Sequence, residues 1–273
     1  MNGNLFLKTR GVWMAYQTIT LEKSERYAIL SLNRPTVMNA MNTVMMKELA
    51  ECFEALHHET DIQVLVIRGE GKVFSAGGDI KEMLNPAIPM NIADVMPYLT
   101  RLSKAFYTLP MITVAAVHGA AAGLGFSLVL GSDIIIAEEN SKLAMNFIGI
   151  GLIPDGGGHF FIKERVGTVK AKQIIWEGKV LNGPEALSLG LIDYSVQEGV
   201  TEVVVNQVVD KLLASPVAAM LESKAILHAQ TEPEQEAILA AEEKGQTEMR
   251  GTQDHIEGIK AFVEKRKPAF IGQ

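Results

Sequence analysis

The sequence contains very little cysteine, and this shortage excludes two kinds of stabilising site. Cys52 is the only cysteine among 273 residues, so the chain can hold neither an internal disulfide nor a metal site built from cysteines alone. Cys52 falls within a helical pattern, where a small buried side chain is the simplest interpretation. His57 and His58 have no matching cluster of ligands, and we therefore expect no metal ion.

Long apolar runs and an excess of positive charge are also missing. No stretch reaches the ~18 consecutive apolar residues of a membrane-spanning helix, and the N-terminal segment is a poor match to a signal peptide. The net charge of −7 argues against nucleic acid as the main partner. We therefore expect a cytoplasmic protein that binds neither membranes nor nucleic acids. An anionic ligand would need a local basic patch.

Strand and helix patterns alternate over the first 200 residues. Residues 16–35 predict two alternating strands joined by a charged turn, and the segments VLVIRG and MITVAAVHG predict buried strands. Prolines at positions 86, 89 and 97 predict irregular structure between them. Because several connections have hairpin-like lengths, we expect an α/β fold of stacked strand-strand-helix units rather than a doubly wound sheet.

The composition changes near residue 200 and divides the chain into three parts. Residues 1–13 are predicted to be an N-terminal extension, without predicted order, ahead of the first strand. Residues 14–200 form the predicted core. Residues 201–273 show four consecutive helical patterns, which are too few for an independent core and predict a helical oligomerisation region.

Familiar glycine and nucleophile motifs fail when their spacing is counted. Residue 128 is a leucine where a dinucleotide-binding motif starting at Gly123 needs its last glycine, and the segment around Ser127 lacks one glycine of a hydrolase nucleophile elbow. Two strand-to-loop junctions, FSAGGD and HGAAAGLGF, still offer backbone N–H groups beside small residues. Two such groups converging on one oxygen would form an oxyanion hole. Ordinary helix packing explains the same spacing, so both interpretations stay open here.

The segment GLIPDGGG places one carboxylate, Asp155, between a proline and three glycines. Pro-Asp-Gly is a common turn signal and Asp is a good helix N-cap, so turn chemistry explains the residue fully. A catalytic acid held on a rigid turn is the alternative. The tripeptide alone favours the turn.

Five segments together resemble the enoyl-CoA hydratase/isomerase family, also called the crotonase superfamily. They are LNRPTVMNAMN, FSAGGDIKEM, AAVHGAAAGLGFSLVLGSDIIIA, GLIPDGGG and AFVEKRKPAF, and the match runs from about Tyr16 to the C-terminus. The resemblance implies a crotonase-type spiral of strand-strand-helix turns with a C-terminal helical trimerisation region, assembled as a homotrimer or a dimer of trimers. It also implies an acyl-CoA thioester substrate and no cofactor beyond the coenzyme A within that substrate.

The resemblance also assigns roles to individual residues. It implies that the N–H groups of Gly78 and Leu124 bind the thioester oxygen and that the Ala76 carbonyl contacts the adenine of CoA. Three side chains match positions that line the nucleotide, the last two from a neighbouring subunit: Lys81, Phe262 and Lys265. The lysines would supply the positive charge that the acidic chain otherwise lacks.

The sequence departs from the hydratases of that family at two positions. Hydratases carry one catalytic glutamate in the helix after the second glycine motif and another just before the G-x-x-P turn. The matching residues are Ser127 and Phe147, which we expect in the acyl pocket, and neither can move a proton on and off water. Hydration by the usual two-acid mechanism is therefore not expected.

Asp155 matches the position at which dienoyl- and ring-enoyl-CoA isomerases carry a catalytic aspartate. The segments GLIPDGGG and AFVEKRKPAF particularly resemble the 1,2-epoxyphenylacetyl-CoA isomerase branch. We therefore expect an enoyl-CoA isomerase of fatty acid metabolism or phenylacetate catabolism, with Asp155 as its proton shuttle. Two alternatives stay open: a hydratase or other crotonase reaction that uses different acids, and a non-catalytic CoA-thioester-binding protein.

Overall fold

Two sheets form the framework of the chain, in a computed structural model that describes residues 12–84 and 92–273. The strands in these residues are β1 (Val12–Ala15), β2 (Ile19–Lys23), β3 (Tyr27–Leu32), β4 (Val64–Gly69), β5 (Ile112–Val117), β6 (Ala120–Ala122), β7 (Ile134–Glu138), β8 (Lys142–Ala144) and β9 (Tyr194–Val196). Seven strands form one sheet in the order β1-β2-β3-β4-β5-β7-β9, while β6 pairs with β8 in a second sheet. The β1–β2 and β2–β3 pairs are antiparallel, and the other pairs are parallel.

Helices separate the strands in the first part of the chain and follow one another in the last. They are α1 (Thr43–Leu56), α2 (Ile80–Met83), α3 (Ile92–Tyr107), α4 (Leu124–Leu130), α5 (Gly158–Glu177), α6 (Gly183–Ser188), α7 (Thr201–Leu213), α8 (Val217–Arg250) and α9 (Gln253–Glu264). Short 3-10 helices cover Pro35–Val37 and Asn146–Ile150.

The connections confirm the predicted spiral of strand-strand-helix turns. One turn runs through β5, β6 and α4, and the next through β7, β8 and α5. Within each turn the first strand joins the large sheet and the second joins the small one. Isolated bridges between Ser75 and Ala121 and between Leu143 and Leu181 extend the small sheet on both sides.

Alternating residues of the central strands face two separate cores. Leu65 and Ile67 of β4 belong to a large core that includes residues of α1 and α3. Val64 and Val66 belong to a smaller core formed with α7. This period of two follows from the pleat of a strand that is covered on both faces.

Three predicted boundaries differ from the structure. The four C-terminal helical patterns form three helices, because α8 continues through Pro233. Hydrogen bonds hold α8 to α3 on both sides of this proline. One joins Thr231 to Tyr107, and the other joins Gln235 to Ser103. The predicted irregular segment over residues 86–97 lies partly outside the described residues, and its Pro97 belongs to α3. Of the predicted extension over residues 1–13, residues 1–11 lie outside the described part of the chain, and residues 12 and 13 are the first two of β1.

Two of the sequence-based expectations concern a membrane-spanning helix and a metal site. In residues 12–84 and 92–273, no single helix is both long and apolar enough to cross a bilayer, although α7 and α8 meet that criterion together as a pair bent by 97°. In the same ranges, no group of three His, Cys, Asp or Glu side chains is placed to hold a metal ion.

The segment LNRPTVMNAMN braces the glycine loop that follows β4. The N–H of Met41 donates to the Gly77 carbonyl at 2.7 Å, and the N–H of Asp79 donates back to the Met41 carbonyl at 3.0 Å. The N–H of Ala76 donates to the Met38 carbonyl at 2.9 Å. These three bonds fix the backbone over residues 76–79.

Asn39 connects this brace to the end of β4. Its side chain is fully buried, its Oδ1 accepts from the Arg34 N–H at 2.9 Å, and its Nδ2 donates to the carbonyls of Glu70 and Val73 at 2.8 and 2.9 Å. Its backbone has a φ of 51°, a left-handed conformation that Asn tolerates better than most residues. One side chain therefore satisfies several buried backbone groups.

Replacing Asn39 by alanine should lower the free energy of unfolding by about 2 kcal/mol or more, because buried donors and acceptors lose their partner. Urea unfolding followed by circular dichroism measures the change. Asn140→Ala is the matched control, since Asn140 is exposed, and it should stay within about 0.5 kcal/mol of the wild type. Equal losses in the two variants would contradict this role of Asn39.

Candidate active site

Two glycine-containing loops lie side by side above the sheets. The N–H of Ser75 donates to the Ala120 carbonyl at 2.9 Å, and the N–H of Ala122 donates to the Ser75 carbonyl at 3.1 Å. Gly77 has a φ of 93°, and a Cβ there would lie 2.6 Å from the Ala122 carbonyl oxygen. Only glycine permits such an approach of one backbone to another, so the loops FSAGGD and HGAAAGLGF border one space.

A cavity of about 310 Å³ opens where the two loops meet. Six of the site residues predicted from sequence line it: Ala76, Gly78, Leu124, Phe147, Asp155 and Phe262. Apolar side chains of α2 and α3 form much of the remaining lining. A larger cleft of about 480 Å³ elsewhere contains none of these six residues, so its greater size does not make it the better candidate.

Three predicted site residues do not line this cavity. Ser127, predicted in the acyl pocket, is fully buried, and its hydroxyl lies 3.5 Å from the Gly123 carbonyl oxygen. It is enclosed because a Cβ on the neighbouring Gly158 would lie only 2.7 Å from its Oγ. Lys81 and Lys265 are exposed to solvent. Their contribution to nucleotide binding stays a prediction.

The N–H groups of Gly78 and Leu124 have no hydrogen-bond acceptor within the described ranges. The neighbouring N–H groups are bonded, that of Gly77 to the Ser75 Oγ at 3.1 Å and that of Gly123 to the Ala144 carbonyl at 2.9 Å. Leu124 is the first residue of α4, where a helix leaves its N–H groups without internal partners. Both groups are therefore available to an oxygen bound in the cavity.

Asp155 does not serve as the cap of the following helix. The N-cap of α5 is Gly157, which has no side chain, and no side-chain oxygen of Asp155 accepts from the first N–H groups of the helix. The Asp155 carbonyl accepts from the Gly158 N–H at 3.0 Å, so only its backbone closes the turn. Positive φ angles of 62° at Gly156 and 82° at Gly157 explain the glycines after Asp155. The turn interpretation therefore accounts for the backbone and leaves the carboxyl group unexplained.

Asp155 is 7% exposed, and its buried Oδ1 has no hydrogen-bond partner in the part of the chain that the structure describes. The pKa of Asp155 is raised to about 7, mainly by burial and also by the negative charge of Glu242, while the positive charge of Arg250 lowers it. Such a carboxyl group gains and loses a proton near neutral pH, which is the property that general acid–base chemistry needs.

Helix α8 holds the Asp155 turn from behind. Glu242 is buried, and its carboxylate accepts from the N–H groups of Gly157 and His159 at 2.8 and 3.0 Å and from the His159 ring at 2.9 Å. One turn further along, the Gln246 amide donates to the Ile153 carbonyl at 2.5 Å. Both ends of the segment 153–159 are thus bonded to one helix.

Sequence reasoning missed the contribution of α8. Glu242, Gln246 and Arg250 repeat every four residues, which places them along one side of a helix. Exposed charges such as Glu243 and Glu248 lie beside them. The spacing was the available signal, but spacing alone does not separate a buried polar stripe from a solvated helix face.

Phe262 reaches the cavity from the same chain. Helix α9 packs on the 3-10 helix Asn146–Ile150, where the His255 ring donates to the Ile150 carbonyl at 2.8 Å and Gly258 approaches Ile150 so closely that a Cβ would lie 2.7 Å from its Cα. The resemblance instead implies Phe262 and Lys265 from a neighbouring subunit. Phe262 of the same chain thus lines the cavity. The contribution of Phe262 and Lys265 from a neighbouring subunit stays a prediction.

Comparison with known proteins gives consistent matches. The sequence profile of the enoyl-CoA hydratase/isomerase family matches residues 22–273. A Bacillus subtilis protein whose name assigns it to the enoyl-CoA hydratases/isomerases is 44% identical over 89% of this chain and 94% of its own length. The crotonyl-CoA hydratase of Syntrophomonas wolfei is 32% identical over 95% of this chain and 100% of its own.

Solved structures agree with the sequence comparison. The crystal structure of an enoyl-CoA hydratase from Mycobacterium avium subsp. paratuberculosis superimposes with a TM-score of 0.85 at 30% identity, over 94% of this chain and 100% of that one. Several sequence relatives are named as hydratases, and a Streptococcus mutans relative, 27% identical over 95% of this chain and 100% of its own, is named as a trans-2-decenoyl-[acyl-carrier-protein] isomerase.

The buried carboxyl group predicts a pH-dependent stability. The pKa of Asp155 is about 7 in the folded chain against 3.8 for a free side chain, so between these values the folded state holds a proton that the unfolded state releases. Its contribution to stability is therefore complete below the unfolded pKa of 3.8 and is lost progressively as the pH rises through about 7. The Asp155→Asn variant, which does not ionise, should gain up to about 4 kcal/mol over the wild type between pH 4 and pH 8.

Denaturant unfolding of both proteins across this pH range measures the difference, in which all other titrating groups cancel. Asp61→Asn, at an exposed position, is the control for removing one carboxylate from the chain. A constant difference for Asp155→Asn would show that burial does not raise the pKa of Asp155.

Proposed function

We propose that this chain, which belongs to the enoyl-CoA hydratase/isomerase family, moves the double bond of an enoyl-CoA thioester by proton transfer through a single carboxylate. The observation that carries the proposal is Asp155, the one Asp or Glu among the described residues that line the cavity, with an unpaired carboxyl oxygen. Ser127 and Phe147 stand where the family's hydratases carry their two glutamates. A two-acid hydration therefore has no acids at those positions.

The two free N–H groups would bind the thioester carbonyl. When a proton leaves the carbon next to that carbonyl, negative charge moves onto the oxygen and an enolate forms. Donors from Gly78 and Leu124 would stabilise the enolate, and one donor of this kind is worth about 3 kcal/mol in other enzymes. The glycine contacts that hold the two loops together support a site whose donors need not move during the reaction.

Asp155 would carry the proton between two carbons. In a 3-enoyl thioester the carboxylate takes a proton from C2, the double bond shifts to the 2,3 position, and the carboxylic acid returns a proton to C4. No atom is gained or lost, so the conjugated 2-enoyl thioester is an isomer of the substrate. A pKa near 7 suits both halves, since the same group must accept the proton and then release it.

The apolar lining supports isomerisation rather than hydration. Phe147 is buried and borders the cavity, together with Leu152 and the apolar side chains of α2 and α3. A site that excludes water protects the enolate from side reactions. The same exclusion keeps the Asp155 carboxylate poorly solvated and therefore more basic.

Binding of the CoA portion and assembly are further parts of the proposal. The Ala76 carbonyl and Phe262 line the cavity, which supports their role in holding the nucleotide, while Lys81 and Lys265 would act from the exposed surface. We also infer a homotrimer or dimer of trimers in the cytoplasm, built through residues 201–273. Exposed apolar side chains there support an interface, among them Ile226, Leu227, Ile256 and Val263.

Two other functions fit parts of the site. A hydratase, or another crotonase reaction, would agree with the names of several relatives, but it needs acids other than those at positions 127 and 147. A protein that binds CoA thioesters without turnover would use the same cavity and the same N–H groups.

Asp155→Asn tests the central residue. The amide keeps the shape of the side chain and the backbone turn but removes the base, so conversion of a 3-enoyl-CoA to its 2-enoyl isomer should fall by a factor of about 10² to 10⁴. The increase in absorbance on conjugation measures the rate. Affinity for a saturated acyl-CoA, measured by calorimetry, should change little, because the N–H groups are unaltered.

The same experiment distinguishes a catalytic Asp155 from a turn residue and from a protein that binds acyl-CoA without turnover. An Asp155→Asn variant that folds, binds acyl-CoA and still isomerises near the wild-type rate would show that Asp155 is only a turn residue. A wild type that binds acyl-CoA but isomerises no enoyl-CoA would favour the non-catalytic alternative.

Crotonyl-CoA separates isomerase from hydratase. The wild-type chain should hydrate it at least about 100-fold more slowly than a family member with both glutamates, since a single missing acid or base already costs that much. Loss of the absorbance of the conjugated thioester measures hydration. Phe147→Glu restores one acid at the cavity and should raise the rate, whereas Ser127→Glu should destabilise the protein, because Ser127 is tightly enclosed. A wild-type rate equal to that of the two-glutamate enzyme would overturn the assignment of these positions.

A further inference from the structure

Arg250, the last residue of α8, is the one Lys or Arg among the described residues that line the cavity. Its Nη2 lies 3.9 Å from the Met83 sulfur, and its Nε is buried without a hydrogen-bond partner in the described ranges. No Asp or Glu oxygen of those ranges lies within 4 Å of its guanidinium. Residues 1–11 and 85–91 contain no Asp or Glu in the sequence. The chain therefore offers this guanidinium no direct acidic partner.

An unpaired guanidinium in such a place is unfavourable. Burial lowers the pKa of Arg250 below its ordinary value, but arginine stays protonated under all physiological conditions. Arg250 as a whole is half-buried, with its Nε fully buried, and a charge that loses part of its hydration is stabilised by a partner and hydrogen bonds. Asp155 attracts Arg250 from beyond ion-pair distance, and Glu242 already accepts three hydrogen bonds from Gly157 and His159. Besides the water that reaches its exposed part, a ligand in the cavity is the partner that remains for Arg250.

The surroundings of Arg250 define the chemistry of that ligand. Met83 of α2 contacts Arg250, and the same cavity is lined by further apolar side chains, Ile80 of α2 and Val95 and Leu99 of α3. A hydrocarbon chain fits such a wall, and a guanidinium beside it fits a carboxylate, which accepts two parallel hydrogen bonds from the planar fork. The phosphates of CoA carry several charges, and a single cation in an apolar cavity matches them less well.

We propose that Arg250 binds a carboxylate at the far end of the acyl chain, so that the protein prefers acyl-CoA thioesters of dicarboxylic acids over those that end in a methyl group. The inference rests on the proposed function in one respect, that an acyl-CoA occupies the cavity. It does not require that the chain catalyse an isomerisation. Arg250 is thus a specificity-determining residue for the substrate rather than a member of the reacting groups.

Matched pairs of unreactive thioesters test the proposal by binding alone. Adipoyl-CoA and hexanoyl-CoA have six-carbon acyl chains that differ only at the far end, and suberoyl-CoA and octanoyl-CoA form the same pair at eight carbons. Isothermal titration calorimetry of the full-length protein gives the four dissociation constants. For at least one chain length, the wild type should bind the carboxylate member about tenfold tighter or more, as expected for a charge-assisted hydrogen-bonded pair.

Variants of Arg250 assign that preference to its side chain. Arg250→Gln should abolish the preference by weakening the carboxylate member at least about tenfold, while the methyl member changes by no more than about threefold. Arg250→Lys keeps the charge but loses the fork, so it should keep part of the preference. Lys260→Gln is the matched control for a general charge effect. Lys260 lines a neighbouring surface groove with Arg250 but not the cavity, and this variant should keep the full preference.

Several results would overturn the proposal. A wild type that binds both members of each pair equally, or prefers the methyl member, rules out a carboxylate site. An Arg250→Gln variant that weakens both members by the same factor assigns Arg250 to the CoA phosphates. If that variant does not fold, the wild-type pairs and Arg250→Lys still decide. A wild type that prefers the carboxylate thioesters but converts no enoyl-CoA would support the carboxylate site and contradict the isomerase activity. Failure of one proposal can therefore be told from failure of the other.

Discussion

The hydrogen bonds from Gly157 and His159 to Glu242 are the interaction on which the candidate site depends. These N–H groups begin α5, and an aspartate placed just before a helix would normally accept from such groups itself. Glu242 reaches them from α8 instead, so Asp155 remains without a partner on its Oδ1. The same carboxylate brings a second negative charge close to Asp155 and helps to raise its pKa. The hydrogen bonds to Glu242 therefore both hold the turn in shape and leave the carboxyl group of Asp155 free to exchange a proton.

A second constraint is the contact between the two glycine loops, which fixes where the free N–H groups lie. Gly77 has no room for a Cβ beside the Ala122 carbonyl, and Gly125 has none beside Ser75. Asn39 and the backbone of Met41 hold the first loop from below through bonds to β4 and to the loop itself. The donors of Gly78 and Leu124 are therefore set by the fold before any ligand binds, which is the condition for electrostatic stabilisation without rearrangement.

The sequence allowed the local parts of this arrangement to be predicted. Gly78, Leu124 and Asp155 lie in short segments whose glycines and proline fix the backbone, so a match to family motifs located them at one cavity. The contributions of α8 were not predictable in this way, since Glu242 bonds to a residue 85 positions away and looks like its exposed neighbours. Ser127 was placed in the acyl pocket because its position was known but not its packing against Gly158. The four helical patterns predicted over residues 201–273 became three helices, because tertiary hydrogen bonds on both sides of Pro233 hold α8 together where a proline would locally favour a break.

Membership of one family does not decide between hydration and isomerisation, because the fold supplies the thioester oxygen site and side chains supply the proton transfers. Adding water requires one group to activate it and another to protonate carbon, whereas moving a double bond returns the same proton equivalent to a second carbon. A cavity with one carboxylate in its described lining, bordered by Phe147 and by apolar helices, meets the second requirement more directly than the first. Arg250 stands eight residues from Glu242 on the same helix and opposes its effect on Asp155. A single rigid element thus carries both charges that tune the carboxylate, and a change in either should alter its basicity while leaving the loops that hold the thioester in place.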